Sequence, residues 1–251
     1  MSALYKTSAL VLNSTDYGES DRIVNFYTMD YGKICGIAKG AKRSKKRFVN
    51  SLESFSFVKL IFAKKQGAGL ARIDQCELID GFHNIKKDLE TITAASYFVE
   101  LLSEMVREWQ RNTKAFELIL NFLRMLDDGR EPETFSRFFE VKLLTILGYQ
   151  PHLDKCTVCK YAPDADTIIY FSSAKGGIVC KRCIKPNENK IPISAGTAKS
   201  LALAARTNLE HLNKLVLPPL VLKESKELLG NFIRYQLGKE LKSMKFMETI
   251  G

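Results

Sequence analysis

The sequence predicts a multidomain α+β protein: a small N-terminal β-barrel, then an all-α helical domain into which a segment of different character is inserted. Three observations carry this. Short runs rich in Val, Ile, Phe and Tyr fill the first eighty or so residues and are separated by turn residues. After Gly81 the apolar residues recur at three- and four-residue steps. Between residues 149 and 190 neither pattern holds, and two Cys-x-x-Cys pairs stand there.

The strand-like runs are Leu4 to Leu12, Arg22 to Met29, Lys33 to Ala38, Phe55 to Ala63 and Leu70 to Leu78. Turn chemistry breaks them at Asp16-Tyr17-Gly18, Asp30-Tyr31-Gly32 and Gln66-Gly67-Ala68-Gly69. Five short strands in this length suit a small closed barrel of the oligonucleotide-binding (OB) type, with an SH3-like barrel as the competitor. Helical periodicity follows, with Ile85, Leu89, Ile92, Val99, Leu102, Val106 and Trp109 on one face. A second run covers Phe116 to Leu126. A third begins at Pro132, suited to a first helical turn, and ends before Gly148, suited to a C-terminal cap. Helical pattern returns from Ser194 to Ala205 and from Pro219 to about Lys242. The expected organisation is thus a barrel over 1–80, helices over 81–150, a metal-binding insertion over 151–190 and helices over 191–251.

The inserted segment carries the sharpest chemistry. Cys156-Thr-Val-Cys159 and Cys180-Lys-Arg-Cys183 have the spacing of a four-thiolate zinc site, in which two knuckles complete one tetrahedron. Gly176-Gly177 supplies a hairpin turn before the second knuckle. Redox-active or merely reduced pairs are the alternative. A closed four-sulfur site has no open position for a substrate, so the expected cofactor is one structural zinc ion held by Cys156, Cys159, Cys180 and Cys183. His152 lies close by and reads as a bystander. Cys35 and Cys76 lie in strand-like runs and read as small buried hydrophobes.

The net charge of +10 is concentrated. From Lys33 to Arg72 there are eleven cations against the single acid Glu53, a net of +10, so the rest of the chain is near neutral. The densest run is Lys39, Lys42, Arg43, Lys45, Lys46 and Arg47, just after a strand and too dense for one helix face. On a flexible loop, such cations bind phosphates strongly, salt-dependently and without sequence preference. Any of the nearby Phe26, Tyr27, Tyr31, Phe48 and Phe55 that point outwards could stack on unpaired bases, although aromatics on short strands usually fill the barrel. A solvated basic run or a targeting signal is the alternative reading.

Other classes find little support. There is no G-x-x-x-x-G-K-[ST] phosphate loop, no deaminase pairing of H-x-E with P-C-x-x-C, and no HExxH. Asp127, Asp128, Glu131 and Glu133 surround Gly129 and Pro132 and read as a loop and an acidic helix start rather than a metal-nuclease cluster. No long apolar span or signal-peptide pattern is present, so the expectation is a soluble, cytoplasmic protein with no membrane partner.

Three stretches resemble the bacterial RecO family of recombination mediators. The first is Gly18-Glu-Ser-Asp-Arg-Ile-Val24 with Thr28, Tyr31-Gly32 and Ala38-Lys-Gly-Ala-Lys-Arg43. The second is Leu147-Gly-Tyr-Gln-Pro-His-Leu153 leading into Cys156-x-x-Cys159. The third is Phe171-Ser172, Gly176-Gly177 and Cys180-x-x-Cys183. The order barrel, helices, cysteine segment, helices extends the resemblance over the whole chain. It implies a non-enzymatic DNA repair protein, working at the nucleoid, that binds single- and double-stranded DNA and anneals complementary strands. It further implies action with RecR to load RecA onto DNA coated by single-stranded DNA-binding protein (SSB), whose acidic C-terminal tail docks on the helical domain. An RNA- or ribosome-associated zinc protein is the competing expectation, because a basic barrel with a zinc knuckle suits RNA equally.

Overall fold

The structure is a computed structural model describing residues 3–64, 69–164 and 167–250. Lys65 and the Gln66-Gly67-Ala68 part of one expected turn lie outside the described residues. The chain divides into two compact units, Met1–Arg130 and Glu131–Gly251.

The first unit is built on five strands, β1 (Ala3–Tyr17), β2 (Asp21–Thr28), β3 (Gly32–Ala38), β4 (Phe57–Lys64) and β5 (Ala71–Asp80). Their ladders close on themselves in the order β1-β2-β3-β5-β4, with β4 returning to β1. Only the β3–β5 seam is parallel, and it is short, pairing Gly36 with Ala71 and Ile37 with Arg72. This is an OB-like barrel. Alternation makes it: every second residue of β3 is buried, and Ile34 and Ala38 join Val24, Phe26, Val58, Leu60, Phe62 and Ile73 in one apolar interior. Gly36 sits at the seam because a side-chain carbon there would overlap Ile73. β1 runs five residues beyond its apolar pattern. Its polar end, Asn13 to Tyr17, is held to β2 by the backbone ladder and by an Asn25 Nδ2 to Asn13 Oδ1 bond of 2.8 Å, which alternation cannot reveal.

Helices α1 (Leu89–Met105) and α2 (Thr113–Asp127) belong to this same unit. The compact units therefore do not divide at the change from strand to helix pattern near Gly81. Aromatic packing is the reason: Phe116 of α2 meets Tyr27 and Phe57 of the barrel, and the Tyr27 hydroxyl donates to the Asn112 carbonyl. Trp109 also differs from its helical expectation. α1 stops at Met105, and Trp109 takes a positive φ of 58°, bonds Lys33 O through its N–H and packs its ring near Phe62.

The second unit comprises α3 (Pro132–Ile146), the three-stranded sheet of β6 (Ile168–Ser172), β7 (Gly177–Val179) and β8 (Ile191–Ser194), then α4 (Ala195–Arg206), α5 (Pro219–Leu237) and α6 (Lys242–Ile250). Glu131 caps α3 by accepting from the N–H groups of Glu133 and Thr134, and Ser194 caps α4. β6 is the central strand, and its Phe171 packs edge-on against Phe232 of α5. The last apolar pattern splits at Gly238, which ends α5. Two of its cations are buried. Arg137 pairs with Glu140 at 3.0 Å with both side chains almost wholly covered, and Lys142 donates to the carbonyls of Ala205 and Thr207 at the C-terminal end of α4. Among the described residues, no helix is long and apolar enough to cross a membrane.

Candidate metal centre and nucleic-acid interface

The two Cys-x-x-Cys turns meet. The sulfurs of Cys156, Cys159, Cys180 and Cys183 all lie within 4.8 Å of one another, and Cys159 and Cys180 are 3.6 Å apart. A tetrahedral four-thiolate site has sulfur–sulfur edges of about 3.8 Å, so small side-chain rotations bring all four onto one ion. Long-range pairing builds the site. The His152 carbonyl accepts from Ile178 N–H while His152 N–H donates to Gly176 O, which lays the first turn beside β7. Gly177 permits that approach, since a side-chain carbon there would overlap His152. Gly176, at φ 64°, makes the β6–β7 turn. His152 contributes its backbone, and its ring is not part of the cluster.

The electrostatics of the four thiols suit a cation. Burial opposes ionisation of Cys156, but the N–H groups of Cys159, Cys180 and Val158 outweigh it and pull the thiol down to about 6. Cys180 is lowered too, against its own burial, by hydrogen bonds from Cys183, Cys159 and nearby N–H groups. Cys183 moves the other way, up to about 12, because it hydrogen-bonds to Cys180 and Cys159 and faces the charge of Cys156. Four thiolates this close repel one another, and a central cation is what lets all four ionise together. The donor set therefore fits a metal ion. It is the one group of three or more His, Cys, Asp or Glu side chains suited to a metal among the described residues. Lys181 and Arg182 of the second turn are exposed, with Arg182 over the Tyr161 ring.

Asp127, Asp128, Glu131 and Glu133 sit at the end of α2 and the start of α3. Asp127 accepts from the N–H groups of Asn84 and Ile85, and Glu131 is spent on its helix cap. Cys76 is buried, and burial pushes its thiol up to about 12 against a smaller lowering by hydrogen bonding with the Ser51 side chain.

All six cations expected to meet a polyanion are exposed, but their loop is not a free tether. Asp21 accepts from Gly40 N–H at 2.8 Å, Lys42 N–H donates to Ser20 O, and Arg47 reaches back to Lys39 O at 2.8 Å. Residues Ala41–Arg43 form a 3-10 turn. Beyond Arg47 the chain enters the barrel interior: Phe48 and Leu52 are buried with its core, and Cys76 N–H donates to Arg47 O. The cations thus differ in their duties. Lys42 pairs with Asp16 at 2.8 Å and Arg47 lies over the Phe48 ring. Arg43 stands 4.0 Å from Glu19 with both exposed, and Lys45 and Lys46 have no acidic partner among the described residues. None of the five nearby aromatics is exposed. Phe26, Tyr27, Phe48 and Phe55 are buried, and Tyr31 packs against Tyr5 and Phe62. Burial keeps Phe26, Tyr27, Phe48 and Phe55 from stacking on bases, and Tyr31 is half-buried.

Asp16, Asp21, Phe48 and Leu52 place the loop, and the sequence reading assigns that duty to none of them. Apart from Arg22, which faces Asp16 across one hairpin, their partners lie far along the chain.

The comparisons agree over the whole chain. Residues 1–82 match the family model for the Recombination protein O N terminal region, and residues 86–245 that for the Recombination protein O C terminal region. "DNA repair protein RecO" of Syntrophus aciditrophicus is 38% identical over 250 residues, covering 99% of this chain and 96% of the relative. The protein of the same name from Halalkalibacterium halodurans is 32% identical, with 98% and 95% covered. That from Caldanaerobacter subterraneus subsp. tengcongensis is 34% identical, with 96% of each covered. With both family regions matched in order and relatives of that name similar over nearly the full chain, the chain belongs to the RecO family.

Proposed function

We propose that this protein is a non-enzymatic recombination mediator of DNA repair. In this reading it binds single- and double-stranded DNA through Lys39, Lys42, Arg43, Lys45, Lys46 and Arg47, and anneals complementary strands. With RecR, it helps to load RecA onto DNA coated by SSB, whose tail the helical domain receives. It works in the cytoplasm, at the nucleoid. The metal is a single zinc ion on Cys156, Cys159, Cys180 and Cys183, and its role is to clip two turns together.

The observation that carries the reading is the anchored cationic loop. Its two ends are fixed to the barrel by Asp21, Phe48 and Leu52, so the charges are held as a ridge. Ordering them costs little further entropy when a strand arrives, and each phosphate met releases counterions. A ridge that neutralises the phosphates of two strands together lowers the repulsion that opposes their pairing.

The test replaces Lys42, Arg43, Lys45 and Lys46 by Glu. Binding should weaken to a similar extent for every DNA sequence, and the plot of log affinity against log salt should flatten. Unchanged affinity at moderate salt would remove the loop from the reading. Competition between single-stranded DNA and RNA of matched sequence separates the mediator from an RNA-associated protein.

A further inference from the structure

Beside the ridge lies a cleft of about 600 Å³ lined by Arg22, Lys42, Lys45, Val49, Asn50 and Glu53, with Asp16 among them. Three separate elements aim at one point in it. Asp16 of β1 stands directly across the ladder from Arg22 of β2, and Lys42 reaches in from the 3-10 turn. One oxygen of the Asp16 carboxylate is 3.1 Å from Arg22 Nε, and the other is 2.8 Å from Lys42 Nζ.

An anion bridging two cations through its two oxygens has the form in which a phosphodiester is held by its two non-bridging oxygens. We infer that Asp16 is an internal stand-in for a backbone phosphate: in the unliganded protein it fills a phosphate seat between Arg22 and Lys42, and a nucleic-acid strand displaces it on binding. The inference deepens the DNA-binding reading and rests on it. The cleft has room for the nucleotide that carries such a phosphate, and half-exposed Val49 offers an apolar surface there. Hydrogen bonding to Lys42, which outweighs a slight burial penalty, keeps the Asp16 carboxyl below its usual range, so it stays ionised near neutral pH and competes with phosphate throughout. Displacement also frees charge. Asp16, Arg22 and Lys42 together carry +1, and Arg22 with Lys42 alone carries +2.

The function assigned to Asp16 is therefore to limit how tightly the protein holds DNA. A mediator that hands a strand on gains from contacts that release it.

The experiment measures binding of an unstructured single strand across a salt series for the full chain and for Asp16→Asn, Arg22→Gln and the double variant, with melting curves for each. Asp16→Asn should bind several-fold more tightly, and its log–log salt slope should steepen by about 0.7, the value of one more phosphate contact. Arg22→Gln should weaken binding, and in the double variant most of the Asp16→Asn gain should vanish. Equal or weaker binding by Asp16→Asn with an unchanged melting temperature would overturn the inference, as would an undiminished gain in the double variant. If Asp16→Asn melts lower, the conservative Asp16→Ser decides by the same two criteria. Failure of the DNA-binding reading looks different: the unsubstituted chain would then bind no strand at low salt.

Discussion

Arg47 and Lys46 are neighbours of one charge with opposite duties. The Arg47 guanidinium closes the loop on Lys39 O and covers the Phe48 ring, whereas Lys46 has no acidic partner among the described residues. Lys45→Glu with Lys46→Glu should therefore lower DNA affinity while leaving stability within about 0.5 kcal/mol, as for other surface changes. Arg47→Glu should lower both, and paired melting and binding curves separate the two cases. The second unit supplies a contrasting charge. Glu140→Ala leaves Arg137 buried without its partner and should cost about 3–5 kcal/mol, whereas replacing both by Leu should recover much of that loss in chemical denaturation. At this scale the sequence was legible where chemistry is local. Two Cys-x-x-Cys pairs announce four converging sulfurs because each pair shares one turn, and metal analysis should find about one zinc per chain, lost in Cys156→Ala. It was illegible where a role depends on a partner far along the chain: Lys142 is buried against the end of α4, where it donates to the Thr207 carbonyl, and no local spacing signals that partner.

Among the elements, the β3–β5 seam is where the barrel is thinnest, with two paired positions against seven or eight in its other ladders. Gly36→Ala drives a methyl into Ile73 and towards the Ala71 carbonyl at this point, and should destabilise the first unit by about 1–3 kcal/mol. Hydrogen exchange should locate the loss on β3 and β5. Capping gives a milder change: Asn112 accepts from Ala115 N–H at the start of α2, and Asn112→Ala should cost about 1 kcal/mol in a thermal melt. The periodicities found the strands and helices because burial imposes them. They overran where tertiary contact took a residue away, as with Trp109, whose spacing fits α1 while its backbone bonds Lys33 and its ring lies under Lys64 Nζ at 3.3 Å. They fell short in the cysteine segment. β6, β7 and β8 have only three to five residues each, too few to show a period, and β8 leads directly into α4.

For the whole molecule, the two compact units divide the chemistry between them: the ridge and the Asp16 cleft belong to the first, and the cysteine quartet to the second. Chelation should therefore lower the melting of the second unit, seen by calorimetry as one shifted transition, and leave DNA binding at low temperature largely intact. Loss of DNA affinity at the same chelator dose would assign the metal segment a direct part in binding. A charge census alone picks out the basic segment from Lys33 to Arg72. It could not tell that the basic run continues as barrel interior, because Phe48 and Leu52 fall between strand-like runs and their burial shows only once the ladders close over them. That continuity sets a rule for variation. The charges of Lys45 and Lys46 can shift in number and place, but the length of the run cannot change: a residue added or removed between Arg47 and Phe48 would draw the plug from the barrel, so that insertions are paid in folding while substitutions at Lys45 and Lys46 are read in affinity.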